Sequence, residues 1–170
     1  MGRGGIHPLE FKTFSKEMQN AITNYCQAGG NFFVSGAYVA SDLWDNRLVK
    51  ANEEDKKFAM EVLKYKWRVG QAARNGKVKS VASPFPEITG SYTYYQDLNP
   101  ESYVVESPDA LEPAAQGAFT ILRYSENNLS AGIAYKGNYK TCVLGFPFEA
   151  IRTVTERELL MKAILTFFEH

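Results

Sequence analysis

Between Ser15 and Gly30 the apolar positions keep a helical rhythm. Met18, Ala21, Ile22, Tyr25 and Cys26 fall at i, i+3, i+4, i+7 and i+8, one stripe of an α-helix, and Ser15 stands where a cap is needed. Gly29-Gly30 predicts the end of that helix. Residues 31–35, Asn-Phe-Phe-Val-Ser, form a short continuous apolar run of β-favouring residues, the pattern of a strand buried on both faces of a parallel sheet. A polar connection over 42–52 leads to a second predicted helix over 53–67. It carries Phe58, Val62 and Tyr65 on one side, with acids early and lysines late as the helix dipole favours.

From residue 78 the pattern breaks into short β-rich pieces, 78–82, 103–106, 119–124 and 131–136, separated by Pro, Gly and Asn. Residues 141–145 read as one more buried strand. Thr155, with Glu158 three residues on, predicts a capping box for a final helix whose stripe is Leu159, Leu160, Ala163, Ile164, Phe167 and Phe168. Helix, turn and buried strand at both ends of the chain predict an α/β fold. No internal repeat, low-complexity tract or linker divides it, so one domain over 1–170 is expected.

Composition narrows the function classes. A chain of 170 residues buries a core without metal or disulfide staples. Nineteen basic and nineteen acidic residues leave no net charge and no basic stripe, which argues against nucleic acid as a partner. The longest apolar runs, 31–40 and 142–148, fall short of the roughly 20 residues that cross a bilayer, so no membrane span is expected. Cys26 and Cys142 both sit in apolar patterns and read as buried free thiols, and no metal or cofactor motif is present. No secretory signal is visible behind Met1-Gly-Arg-Gly-Gly.

The candidate chemistry centres on Ser35-Gly36, where a strand-to-helix turn would expose a hydroxyl above the sheet edge. Ser35 becomes a nucleophile only with a base in reach; otherwise the pair merely permits a tight turn. The only histidines, His7 and His170, lie near the chain ends, and neither Lys136 nor Lys140 is singled out by spacing. Tyr92, Tyr94 and Tyr95, with Trp44 and Trp67, could stack sugar rings or equally pack a strand on the core. Asp42, Asp45, Glu53, Glu54 and Asp55 lack calcium-loop spacing and read as a solvated loop entering an acidic helix start. Tyr38 and Arg123 could serve a lyase as base and charge neutraliser, with no motif behind them.

Residues 15–36 and 140–168 resemble the class I glutamine amidotransferase-like branch of flavodoxin-like folds, with Ser35 at the elbow position usually held by cysteine. Gly145-Phe-Pro-Phe-Glu149 resembles the strand end that supplies that family's histidine and glutamate, and Pro147 stands in the histidine's place while Glu149 is kept. A second resemblance covers most of the chain. Gly29-Gly-Asn-Phe-Phe-Val-Ser-Gly-Ala-Tyr-Val-Ala-Ser-Asp-Leu-Trp-Asp45, Leu63-Lys-Tyr-Lys-Trp-Arg-Val-Gly-Gln-Ala-Ala73, Asn99-Pro-Glu-Ser-Tyr-Val-Val-Glu-Ser-Pro-Asp-Ala110 and Leu144-Gly-Phe-Pro-Phe-Glu149 are similar to the C-terminal domain of Bacteroidetes proteins labelled xanthan lyases.

Together these resemblances imply a three-layer α/β/α domain with a mostly parallel sheet, lacking its first strand-helix elements, as a fragment of a larger multidomain protein. They imply a secreted, periplasmic or cell-surface setting. The function they imply is a non-catalytic accessory module of a polysaccharide-utilisation protein, with Ser35, Gly36 and Glu149 a vestigial elbow. Its partner would be a glycan or an upstream catalytic domain of the same polypeptide, and Tyr38, Asp42, Trp44, Tyr94 and Tyr95 are the ligand-binding candidates. The alternatives are a serine hydrolase built on Ser35 and a polysaccharide lyase. No cofactor or metal is called for by any of the three.

Overall fold

The computed structural model describes residues 12–44 and 51–170, so Asp45 and the middle of the first polar connection lie outside the described residues. The first helix, α1 (Lys16–Gln27), starts where the sequence predicts, with Ser15 Oγ accepting from the Met18 amide at 3.3 Å. Its buried face is different. Gln19, Ile22 and Cys26 point inward, while Met18 and Tyr25 are exposed. The Gln19 amide decides this rotation by donating to Phe14 O at 3.1 Å and to Asp55 Oδ1 at 2.8 Å, bonds worth having only inside.

The strand β1 (Phe32–Ser35) follows the glycine pair, half-buried throughout. Asn52 and Asp55 then cap each other's backbone at the start of α2 (Glu53–Lys57), which runs into a π-helical turn over Phe58–Leu63. The expected helix over 53–67 therefore ends early. Lys64 adopts a left-handed conformation (φ 68°), and the alternating Tyr65-Lys66-Trp67-Arg68-Val69 becomes β2 (Tyr65–Val69).

The remaining strands are β3 (Lys77–Ser80), β4 (Ser91–Thr93), β5 (Ala110–Pro113), β6 (Ala118–Tyr124), β7 (Ser130–Lys136) and β8 (Lys140–Leu144). Residues 103–106, expected as a strand, form none. The last helix, α3 (Val154–Glu169), begins two residues before the predicted box. Thr153 caps it by accepting from the Glu156 amide at 3.1 Å, the same Thr-x-x-Glu pattern two residues upstream. Leu160, Ala163, Ile164 and Phe167 are buried as its stripe requires, and Leu159 is exposed.

The sheet corrects the expected fold class. Six strands run in the order β1-β8-β7-β6-β3-β4, and only β1 and β8 are parallel, in register from Phe32 opposite Thr141 to Ser35 opposite Leu144. Every other pairing is antiparallel. A mostly parallel sheet needs a crossover between each pair of neighbours, whereas β6, β7 and β8 are joined by turns too short for one. The chain is thus not the three-layer, mostly parallel amidotransferase-like domain that the resemblance implied. A separate antiparallel ribbon, β2 with β5, lies against β6 and β7.

Alternating side chains build a core on each face of the sheet. Cys142 and Leu144 join Phe33 and the α3 stripe on one face, and Val143 joins Ile133, Tyr65, Leu111 and the α1 side chains on the other. Both cysteines are buried free thiols, and burial pushes the Cys142 thiol upward.

Candidate functional site

Parallel strands β1 and β8 end side by side, and the chain leaves them at Ser35-Gly36 and Gly145-Phe146-Pro147. Gly36 N–H donates to Leu144 O at 3.2 Å, so the corner opens as a continuation of the ladder. Ser35 Oγ is within the fold's reach: it accepts from the Phe148 amide at 3.1 Å. That bond clasps the Pro147–Ala150 turn over the end of β1, where Phe148 packs edge-on to Phe33. Pro147 is buried and opens this turn with φ −69°. The turn is tied on its other side as well. Tyr95 N–H donates to Ala150 O at 3.0 Å and Arg152 N–H to Thr93 O at 2.8 Å.

Glu149 is carried by the same turn yet serves a different partner. Its carboxylate accepts from the Tyr103 hydroxyl at 2.6 Å at the protein surface. Partial burial, then the bond to Glu149, holds the Tyr103 phenol well above its ordinary range. Beside it the Tyr95 hydroxyl donates to Glu101, and the Arg152 guanidinium lies 5.1 Å from the Tyr95 ring centre. Arg152 also reaches Asp97 at 3.6 Å. The outcome is a rim of phenols, carboxylates and one arginine, with Tyr103 about half exposed.

Beneath the corner sits a carboxylate that sequence patterning did not pick out. Asp109 is fully buried. Its Oδ2 accepts from the amides of Ala40 and Ser41 at 2.8 and 2.9 Å, and its Oδ1 accepts from Trp67 Nε1 at 3.1 Å. Its own amide donates to Gly145 O at 2.6 Å, and its carbonyl accepts from Tyr124 Oη at 2.7 Å. Gly145 is obligatory here, since a Cβ on it would stand 2.0 Å from Asp109 O. Burial raises the Asp109 carboxyl to about 7, against the four donor contacts from Ala40, Ser41 and Trp67, which act to lower it. The loop that follows β1 is therefore pinned from below, helped by Tyr65 Oη donating to Val39 O at 2.6 Å.

The sequence candidates separate accordingly. Ser35, Gly36 and Glu149 share the corner, with Ser35 and Glu149 bonded to different groups. Tyr95 stands on the rim, but Tyr94 is completely buried and stacked on Phe146 at 5.0 Å, and Tyr92 is buried too. Adjacent strand residues face opposite ways, so Tyr94 and Tyr95 cannot form one platform. Tyr38 is exposed and Trp44 half-buried on the pinned loop. Asp42 is no solvated acid: it is buried and accepts from the Thr13 amide at 3.0 Å and from its hydroxyl. Asp55 stands in the acidic first turn of α2, where the sequence puts it, but it is buried and pairs with Lys12 at 2.9 Å. Among the described residues no three His, Cys, Asp or Glu side chains are arranged to hold a metal.

Tyr103, Glu101 and Arg152 were missed because they reach the corner from a coil segment and from beyond β8, separations that no local pattern encodes. Among the described residues no helix is long and apolar enough to cross a membrane.

No family model and no curated protein matches this chain. Among solved structures it is similar to part of a cold-adapted β-galactosidase from Rahnella sp. R3, at 13% identity and a TM-score of 0.59, covering 91% of this chain and 21% of that one. It is also similar to part of an exo-β-1,4-mannosidase from Opitutaceae bacterium strain TAV5, at 10% identity and a TM-score of 0.49, covering 91% of this chain and 23% of that one. The chain thus spans about a fifth of the β-galactosidase. At that identity the likeness is one of fold, and it is to a segment of a glycoside hydrolase chain.

Proposed function

We propose that this chain is a non-catalytic accessory domain of an exported carbohydrate-processing protein, contacting saccharide, or the catalytic domain that handles it, through the rim above β1 and β8. The observation that carries this reading is the division of labour at the corner. Ser35 Oγ accepts a backbone amide that fastens the Phe148 turn, and the neighbouring carboxylate, Glu149, is engaged by Tyr103. A serine nucleophile needs a base on its own hydroxyl, and the base position of the resembled motif holds Pro147.

Supporting the carbohydrate side, the fold recurs within a chain named a β-galactosidase, and the rim offers what sugars need. Tyr103 presents amphipathic ring area, and Glu101, Glu149 and Arg152 present polar groups for hydroxyls. The similarity to the C-terminal domain of xanthan-lyase proteins agrees with an accessory role and an exported setting.

Incubation with a fluorophosphonate probe tests the non-catalytic part. No stoichiometric labelling is expected, and labelling that disappears in Ser35→Ala would overturn it. A glycan array tests the ligand part: signal that falls in Tyr103→Ala supports the rim, and signal indifferent to Tyr103 and Arg152 removes it.

A further inference from the structure

Two irregular strands bring a pair of arginines to one cleft. Residues three apart on a regular strand face opposite sides of the sheet. In β6 the pairing with β7 shifts twice, between Thr120 and Leu122 and again between Leu122 and Arg123. Consecutive residues Ile121 and Leu122 consequently enter the same core cluster, and Thr120 and Arg123 line the same cleft. The ribbon has a bulge of its own. Its register passes from Trp67 directly to Val69, leaving Arg68 without a residue opposite, and Arg68 lines that cleft too. Bulges re-aim side chains in this way and concentrate beside functional sites.

The cleft encloses about 570 Å³ between the ribbon and the β6-β7 hairpin, a volume suited to a small ligand. Thr120 Oγ1 and Ser130 Oγ lie 3.2 Å apart on its lining. Arg123 Nη1 donates to Asn128 O at 2.7 Å, which anchors one arm of the guanidinium, and Arg68 Nη1 pairs with Glu112. Two guanidinium-bearing residues and one carboxylate thus line a single cleft. Among the described residues, the hydrogen bonds of both arginines use Nη1, leaving each fork its other donors. A planar fork held in position matches an oxyanion with two oxygens.

We propose that this cleft binds the anionic substituent, carboxylate or sulfate, of an acidic saccharide. The saccharide part rests on the carbohydrate reading above; the oxyanion part rests on the cleft alone. Arg68 and Arg123 grip the oxyanion, Thr120 and Ser130 bond to it or to adjacent hydroxyls, and Glu112 moderates affinity by competing for Arg68.

Calorimetric titration of the full chain with a glucuronate-terminated trisaccharide, its neutral glucose-terminated analogue and sodium sulfate tests both parts. The acidic trisaccharide is expected to bind about tenfold tighter than the neutral one, and Arg123→Gln and Arg68→Gln each to weaken it by about tenfold while moving the thermal midpoint by about 2 °C or less. Glu112→Gln is expected to strengthen binding about threefold, an effect that a merely structural role for Glu112 would not produce. Equal affinity for the two saccharides, or affinity unmoved by Arg123→Gln, overturns the cleft proposal and leaves the carbohydrate reading standing. Sulfate binding that is lost in Arg123→Gln, with neither saccharide bound, keeps the oxyanion site and overturns the saccharide part of the proposal. Absence of binding by all three probes overturns the proposal.

Discussion

Trp67 and Arg68 are neighbours in sequence, yet they serve two polar assemblies of opposite character. Trp67 donates into the Asp109 hub, where a fully buried carboxylate meets donors from Ala40, Ser41 and Trp67 in a closed set. Arg68 lines a cleft in which guanidinium groups keep donors facing open space. A buried polar group must be satisfied internally or it costs stability, so the hub is architecture. A solvated polar group bears no such obligation, and its unused capacity is available to a ligand. The contrast separates residues whose loss should unfold the protein from residues whose loss should change only what it binds.

The strongest way to break that distinction is Asp109→Ala. It leaves two backbone amides and an indole N–H without their acceptor, and a loss of about 3 kcal/mol in urea-derived stability is expected. A loss below about 1 kcal/mol would mean that the hub is not the closed unit described.

Acidity sharpens the same comparison. The Asp109 carboxyl titrates near 7 in the fold, above its ordinary value of 3.8, so the native state holds this proton more tightly than the unfolded chain. Its contribution to stability is fully present below the unfolded value and is lost as pH rises through about 7, with on the order of 2 to 3 kcal/mol of the loss falling between pH 5 and pH 8. Unfolding free energies measured at pH 5 and pH 8 should show this decline in the parent chain, and Asp109→Asn should flatten it. An equal slope in both proteins would show that the carboxyl does not titrate in this range.

The smallest stability effect belongs to the cleft. Arg123→Gln is expected to shift stability by about 0.5 kcal/mol or less, since its side chain gives up one partly solvated bond to Asn128 O. A shift comparable to that of Asp109→Ala would place Arg123 among the architectural residues and erase the contrast.

Much of the fold was legible wherever a signal is local. The Ser15 cap, the Gly29-Gly30 stop, β1, β6, β7, β8 and the stripe of α3 all appear near their predicted places, because caps, turn residues and periodicity act within a few residues. The helix over 53–67 was misread at its end, since apolar spacing cannot show that Lys64 will turn left-handed and release Tyr65 into a strand. Ser35, Gly36 and Glu149 lie at one corner of the sheet. The partner of Ser35 was not legible, because a hydroxyl in sequence does not reveal whether it will meet a base or the amide of Phe148.

The amino-acid sequence by itself determined the Ser15 cap, the α3 stripe and the apolar setting of both cysteines, all properties of residue type and spacing. Only the tertiary structure decided strand direction, the burial of Asp109, Tyr94 and Asp42, and the placing of Arg68 and Arg123 on one cleft. Each of these depends on which distant segments pair and in what register. A register shift of one residue exchanges the two faces of a strand, so what lies inside and what faces a ligand is settled when the strands come together.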